Sequence, residues 1–192
     1  MTAIILTAPA TEPVSLSEAK AHLKIDTTDE DILVQSLLTA ARLHVETITS
    51  RVVITQTWRI NLDHWPARNI LELPIGPVQS VDAIRIYDDD DIIMTIDPSR
   101  YLVDVGSVPA RIAMRGFENW PDPGRILNGI EIDITAGYGL AATDVPEPLR
   151  HSILMLAAHW FENREPLMGT SGQLPVPAAV SALIAPYQTA RL

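Results

Sequence analysis

The chain reads as an α+β protein: an α-helical bundle with an antiparallel β subdomain inserted into it and a C-terminal tail helix. Three observations carry this. Apolar residues recur at three- and four-residue spacing over residues 15–50, the repeat of a helix with one buried face. From about residue 51 the period falls to two and β-branched residues dominate, as in half-buried strands. Near residue 145 the helical pattern returns in one long apolar segment. The expected parts are an N-terminal arm (1–14), the first part of the bundle (15–50), the β insert (51–144), the central helix (145–166), and a linker with a C-terminal segment (167–192).

Residues 1–14 are small and apolar with Pro9 and Pro13, so the arm should be extended, either disordered or paired to a neighbour. Ser15-Leu16-Ser17-Glu18 is a capping box opening a short helix to about Ile25. Thr28-Asp29-Glu30-Asp31 repeats the signal for a longer helix to about Ser50, with Val34, Leu37, Leu38, Ala41, Val45 and Ile48 on its apolar face. Its opening acids complement the helix dipole. They lack the alternating ligands and the glycine of a calcium loop.

Strands are expected from Val52 to Asp63, at 70–73, from Val78 to Tyr87, from Ile92 to Ile96, at 101–105, at 111–113 and at 129–136. In the first, Gln56, Arg59, Asn61 and Asp63 should lie on a wet face. Asp88-Asp89-Asp90-Asp91 reads as a solvated hairpin tip. Successive strand residues point to opposite faces, so four acids in a row converge poorly on one ion. Gly137 and Gly139 suit a sharp turn from the last strand toward the central helix.

The central helix starts at Val145-Pro146-Glu147-Pro148 and runs to about Arg164. Proline costs nothing in a first turn, whose N–H groups have no helical acceptor. His151, Ser152, His159, Glu162 and Asn163 share one polar arc. Apolar residues cover most of the remaining circumference, wider than a surface helix needs. Ile153, Leu156, Trp160 and Phe161 are therefore candidates for packing between subunits. His159 and Glu162 stand three apart, but a metal site takes three or four ligands and only distant His151 shares the arc. Beyond the Pro- and Gly-rich stretch at 165–177, a second helix starts at Pro177. Val180, Leu183, Ile184 and Tyr187 form its apolar side, a candidate docking surface for a partner groove. The alternative is that this segment folds back on its own bundle.

The chain has 192 residues, no cysteine, fifteen prolines and a net charge of −10. Disulfides and thiolate chemistry are excluded. An acidic chain without a basic run does not grip nucleic acid, although it suits a surface past which DNA must slide. No phosphate loop, Gly-x-Ser-x-Gly elbow or spaced catalytic triad occurs. The beginning lacks a secretory signal pattern, which leads us to expect folding in the cytoplasm. No apolar run is long enough for a membrane span.

Several segments, in order, resemble the head–tail connector (adaptor) proteins of tailed bacteriophages and gene transfer agents. They are Pro13-Val14-Ser15-Leu16-Ser17-Glu18-Ala19-Lys20-Ala21-His22-Leu23-Lys24 with Asp29-Glu30-Asp31, then Thr55-Gln56-Thr57-Trp58, then 73–81 from Leu73-Pro74-Ile75-Gly76-Pro77. Ala136-Gly137-Tyr138-Gly139 with Val145-Pro146, and His159-Trp160-Phe161-Glu162-Asn163-Arg164-Glu165, complete the series. The resemblance implies a structural protein, without cofactor or enzymatic activity. It would form a ring, typically dodecameric, in the neck of a virion or gene transfer agent particle assembled in the bacterial cytoplasm. The implied partners are the portal protein, through the C-terminal segment at Val180, Leu183, Ile184 and Tyr187, and a tail-side stopper or tail-completion protein. DNA would pass through the channel without specific binding, and no membrane is involved. Two other readings are a small hydrolase or metal enzyme with a β-rich insert, and another ring component such as a tail terminator.

Overall fold

The computed structural model describes residues 1–116, 118–163 and 176–188. The fold is α+β, with antiparallel sheets and four α-helices among the described residues. The chain divides into two units, Met1–Pro9 with Thr55–Gly137 and Ala10–Ile54 with Tyr138–Leu192.

The helical unit contains α1 (Leu16–Leu23), α2 (Asp31–Thr49), α3 (Glu147–Glu162) and α4 (Ala178–Ile184). The capping box at α1 forms as its sequence requires. Ser15 Oγ accepts from the Glu18 N–H at 3.2 Å, and the Ser15 N–H donates to Glu18 Oε2 at 2.8 Å. Lys24 ends the helix in the left-handed region, φ 57°. The second opening signal works differently from the sequence expectation. Thr28 to Glu30 make a turn, with the Asp31 N–H on the Thr28 carbonyl at 3.2 Å, and the helix starts at Asp31. Asp31 then pairs with Lys20 Nζ at 2.6 Å. Helix α2 buries Val34, Leu38, Ala41 and Val45, which join Leu149, Ile153, Leu156 and Ala157 of α3 in one core.

The β unit contains β1 (Thr2–Thr7), β2 (Gln56–Leu62), β3 (Ile70–Glu72), β4 (Val78–Tyr87), β5 (Ile93–Thr95), β6 (Tyr101–Asp104), β7 (Arg111–Met114) and β8 (Ile130–Ala136). They make two antiparallel sheets, β1-β2-β8-β4-β5 and β3-β7-β6. On β8 the alternation is clean: Ile130, Ile132 and Ile134 are buried, and Glu131 and Asp133 are half-buried on the opposite face. Strand β4 departs from strict alternation because its register shifts twice, between Val78 and Ser80 and between Val81 and Ala83. A register shift moves the following side chains to the opposite face.

Four sequence expectations need correction. The arm at 1–14 is not a separate element. Residues 2–7 are strand β1, paired to β2 of the same chain. Residues 12–14 are fastened in the helical unit, where Glu12 accepts from Arg42 Nε at 2.8 Å and Arg150 Nε donates to the Pro13 carbonyl at 2.9 Å. The β unit also excludes 51–54 and 138–144 of the expected insert. Val53 and Ile54 belong to the helical core, since β-branched residues pack in a core as readily as in a strand. Gln56, expected on a wet face, is buried on the face of Ile60 and Leu62, as a period of two from residue 56 requires. Ser152, placed on the polar arc of α3, is fully buried, its hydroxyl satisfied by the Leu149 carbonyl at 2.7 Å.

The glycines after β8 act as their sequence suggests. Gly137 has φ 135°, open to glycine far more than to other residues. A Cβ on Gly139 would collide with the Asp144 carboxylate.

Candidate assembly surfaces

Helix α4 is the first candidate surface, and the structure divides its four apolar residues. Val180 and Ile184 are fully buried in the helical core, packed with α3. Leu183 and Tyr187 are half-buried. Arg51 Nε donates to the Tyr187 carbonyl at 3.2 Å, which fastens the end of the segment. Val180 and Ile184, two of the four residues expected to dock a partner, thus have their apolar partners within the chain. The expected Pro-Gly linker lies mostly at 164–175, outside the described residues.

Helix α3 divides in the same way. Ile153 and Leu156, expected at a subunit contact, are fully buried in the chain's own core. Trp160 and Phe161 are half-buried, and Trp160 meets the His44 ring edge-on at 5.7 Å between centroids. His159 is tied to the end of its own helix. Asn163 Nδ2 donates to the His159 carbonyl at 2.8 Å and lies 3.2 Å from His159 Nδ1. Among the described residues no group of three His, Cys, Asp or Glu side chains stands close enough to hold a metal ion. No described helix is long and apolar enough to cross a membrane.

The aspartate tip has a structural task. Asp88 Oδ1 accepts from the Asp90 and Ile92 N–H groups, both at 2.9 Å, which closes the turn. Asp91 pairs with Arg125 at 2.7 Å, and that guanidinium sits 3.9 Å over the Tyr87 ring. On the outer face of the large sheet, Arg59 reaches Asp133 at 2.7 Å and Glu131 at 3.0 Å, while Arg85 reaches Asp133 at 2.5 Å. Burial pushes the Asp133 carboxyl up, but its bonds from Arg59 and Arg85 outweigh that and hold it below the usual range. The charges on this face neutralise one another, so it offers no basic strip for a phosphate backbone.

The surface that sequence reasoning missed is the pair of outer strands. Every residue of β1 is exposed, including Ile4 (48%), Ile5 (45%) and Leu6 (45%). At the other end of the same sheet, Ile93 (52%) and Met94 (47%) of β5 are exposed beside Ile92. The signal was available in Thr2-Ala3-Ile4-Ile5-Leu6-Thr7, six residues without a charge or a proline.

A model of the phage gp6-like head-tail connector protein family matches residues 13–93. No curated protein matches the chain. Among solved structures, the chain is similar over its whole length to a chain in the neck of an empty GTA particle computed with C6 symmetry. The two are 28% identical, 97% of that chain is covered, and the TM-score is 0.83. A chain in the neck of a native GTA particle computed with C12 symmetry is 26% identical, again over all of this chain and 97% of the other, with a TM-score of 0.82. One in the virion of a native gene transfer agent particle is 28% identical over the same shares, with a TM-score of 0.80. This family and these structures are of structural neck proteins, not enzymes. The resemblance legible in the sequence is thus matched by a head–tail connector family model over residues 13–93 and by neck proteins of gene transfer agents over the whole fold.

Proposed function

We propose that this chain is a head-to-tail connector (adaptor) of a virion or gene transfer agent particle. It forms a ring below the capsid portal and joins the DNA-filled head to the tail, with DNA passing through the ring. The observation that carries this reading is the full-length similarity, TM-score 0.83 at 28% identity, to a chain of a neck. Two features of the molecule support it. The net charge of −10 suits a channel that must not hold DNA. The exposed apolar strands need cover, as those of a ring subunit receive from its neighbours.

The contacts proposed within the neck are narrower than the sequence suggested. Portal docking falls to Leu183 and Tyr187, the half-buried residues of the C-terminal segment, because Val180 and Ile184 are committed to the core. Of the four α3 residues considered for subunit packing, Trp160 and Phe161 are left. The test is assembly. Purified chain is added to DNA-filled, portal-bearing heads that lack it, and the heads are imaged by electron microscopy. A ring of density on the portal and recovery of tail attachment are expected. Heads that bind none of the chain, or gain tails equally without it, would overturn the reading.

A further inference from the structure

We infer that successive copies join through the two outer strands of the large sheet, β5 of one copy lying alongside β1 of the next. This rests on the connector reading, since it names the partner of the exposed strands as a second copy of this chain.

The first argument is exposure. An outer strand carries unpaired N–H and C=O groups along its free edge, and proteins usually guard such edges with charge, proline or a covering element. Strand β1 has none of these within its six residues, and both of its faces are open. Ile4 lies opposite Arg59 and Ile5 opposite Trp58, so the two isoleucines point to opposite faces of the sheet. Strand β5 repeats this arrangement, with Ile93 opposite Tyr87 and Met94 opposite Ile86. The nearby acids are confined to the hairpin turn at 88–91, outside the strand.

The second argument is symmetry. The similar chains belong to necks computed with C6 and C12 symmetry. A cyclic ring larger than a dimer needs heterologous contacts, in which one patch of a subunit meets a different patch of the next. The exposed patches at β1 and β5 are different and sit at the two ends of one sheet, as head-to-tail joining requires.

The topology also fixes how the strands meet. Each neighbouring pair in β1-β2-β8-β4-β5 is antiparallel, so β1 and β5, four steps apart, run in the same direction. Rotation about a ring axis preserves direction along that axis, so a continued sheet pairs β5 with the next β1 in parallel. Side chains keep their faces across a sheet. Ile93 and Ile4 of the next copy then share the face of Arg59, and the proposed register is the one that sets these two exposed isoleucines side by side. In that register Met94 comes beside Ile5 of the next copy, on the face of Ile60.

The chain has no cysteine, so two introduced thiols are its only ones. The double variants Ile4→Cys/Ile93→Cys and Ile5→Cys/Met94→Cys are matched by face, and Ile4→Cys/Met94→Cys is mismatched. All three alter exposed positions. Each is assembled on portal-bearing heads, treated with a short thiol-to-thiol crosslinker and run on a denaturing gel. The matched pairs should give a ladder of multimers, at least about fivefold stronger than the mismatched pair or any single variant. Rings seen on the heads without a ladder, equal ladders from matched and mismatched pairs, or crosslinks to the portal in place of the chain would each overturn the inference. Absence of rings for every variant and for the unaltered chain would instead count against the connector reading beneath it.

Discussion

The two units of this molecule treat apolar surface in opposite ways. In the helical unit the chain supplies its own cover: α4 returns to place Val180 and Ile184 against the core formed by α2 and α3. Arg42, the buried cation there, meets Glu12 at 2.8 Å and Glu46 at 2.8 Å. In the β unit the centre of the large sheet is equally well buried, yet both outer strands present isoleucines to solvent. Exposed apolar residues of the helical unit, such as Ile32, Leu43 and Leu140, stand singly, whereas those of the outer strands come in runs. Scattered apolar residues on a surface are ordinary, and contiguous ones mark contact surfaces. The difference teaches that the contiguous exposed apolar surface belongs to the sheet edges, while the helical unit keeps only half-buried residues for contact.

The contrast is broken most severely by removing α4. Ending the chain at residue 176 deletes Val180 and Ile184 and opens the helical core. At about 1.5–3 kcal/mol per large apolar side chain, the loss should be about 3–6 kcal/mol. Urea denaturation measures it, and an unchanged midpoint would mean that α4 is an appendage.

Arg42→Ala should destabilise by about 3–5 kcal/mol, because it removes the buried guanidinium that pairs with both Glu12 and Glu46. Burial pushes the Glu46 carboxyl up from its usual range, ahead of the lowering effects of the Val53 N–H and of Arg42. A carboxyl whose folded pKa is raised contributes stability that is full below the unfolded pKa and lost as pH rises through the folded value. Removing Arg42 raises the folded value further, so the variant's deficit should be smallest in acid and grow toward neutral pH. Denaturation midpoints at several pH values check this.

A smaller effect is expected at the Asp104 turn of the β unit. Hydrogen bonds from Ser107, then from Arg111, lower the Asp104 carboxyl to about 2. A lowered carboxylate stabilises above its unfolded pKa, about 3.9, and loses that contribution as pH falls through the folded value. Asp104→Asn should therefore flatten the stability profile between about pH 4 and 2 and leave assembly alone. Acid titration followed by circular dichroism reads the difference.

Ile4→Lys should change the stability of the isolated chain least, within about 0.5 kcal/mol, since the residue is already exposed and a lysine stem can keep its partial cover. The same change should abolish ring formation on portal-bearing heads, because a lysine on an outer strand opposes strand addition. Equal effects on stability and assembly would erase the distinction between the units.

Much of this architecture could be read from periodicity. The helical repeat of α2 and the alternation of β8 each report one buried face, the wide apolar arc of α3 reports a helix at the centre of its unit, and the capping box at Ser15 formed as spelled. Strand β1 escaped because alternation marks only strands with one covered face, and both faces of β1 are open within the chain. The partner of α4 escaped for a different reason. Val180 and Ile184 present the same apolar spacing whether the groove belongs to this chain or to another protein, so the sequence left both alternatives standing. The boundary at residue 54 was obscured because Val52, Val53 and Ile54 satisfy a buried loop beside the helical core as well as a strand.

Amide hydrogen exchange, compared between the isolated chain and the chain assembled on portal-bearing heads, tests the division between the units most directly. Alternate N–H groups of β1 already bond to β2, and the others point outward from the free edge. On assembly, the outward amides of residues 2–7 and 93–95 should gain protection of at least about tenfold, while the interior amides of α2 and α3 change little. Protection gained in α2 and α3, with β1 and β5 exchanging as fast as in the isolated chain, would contradict it.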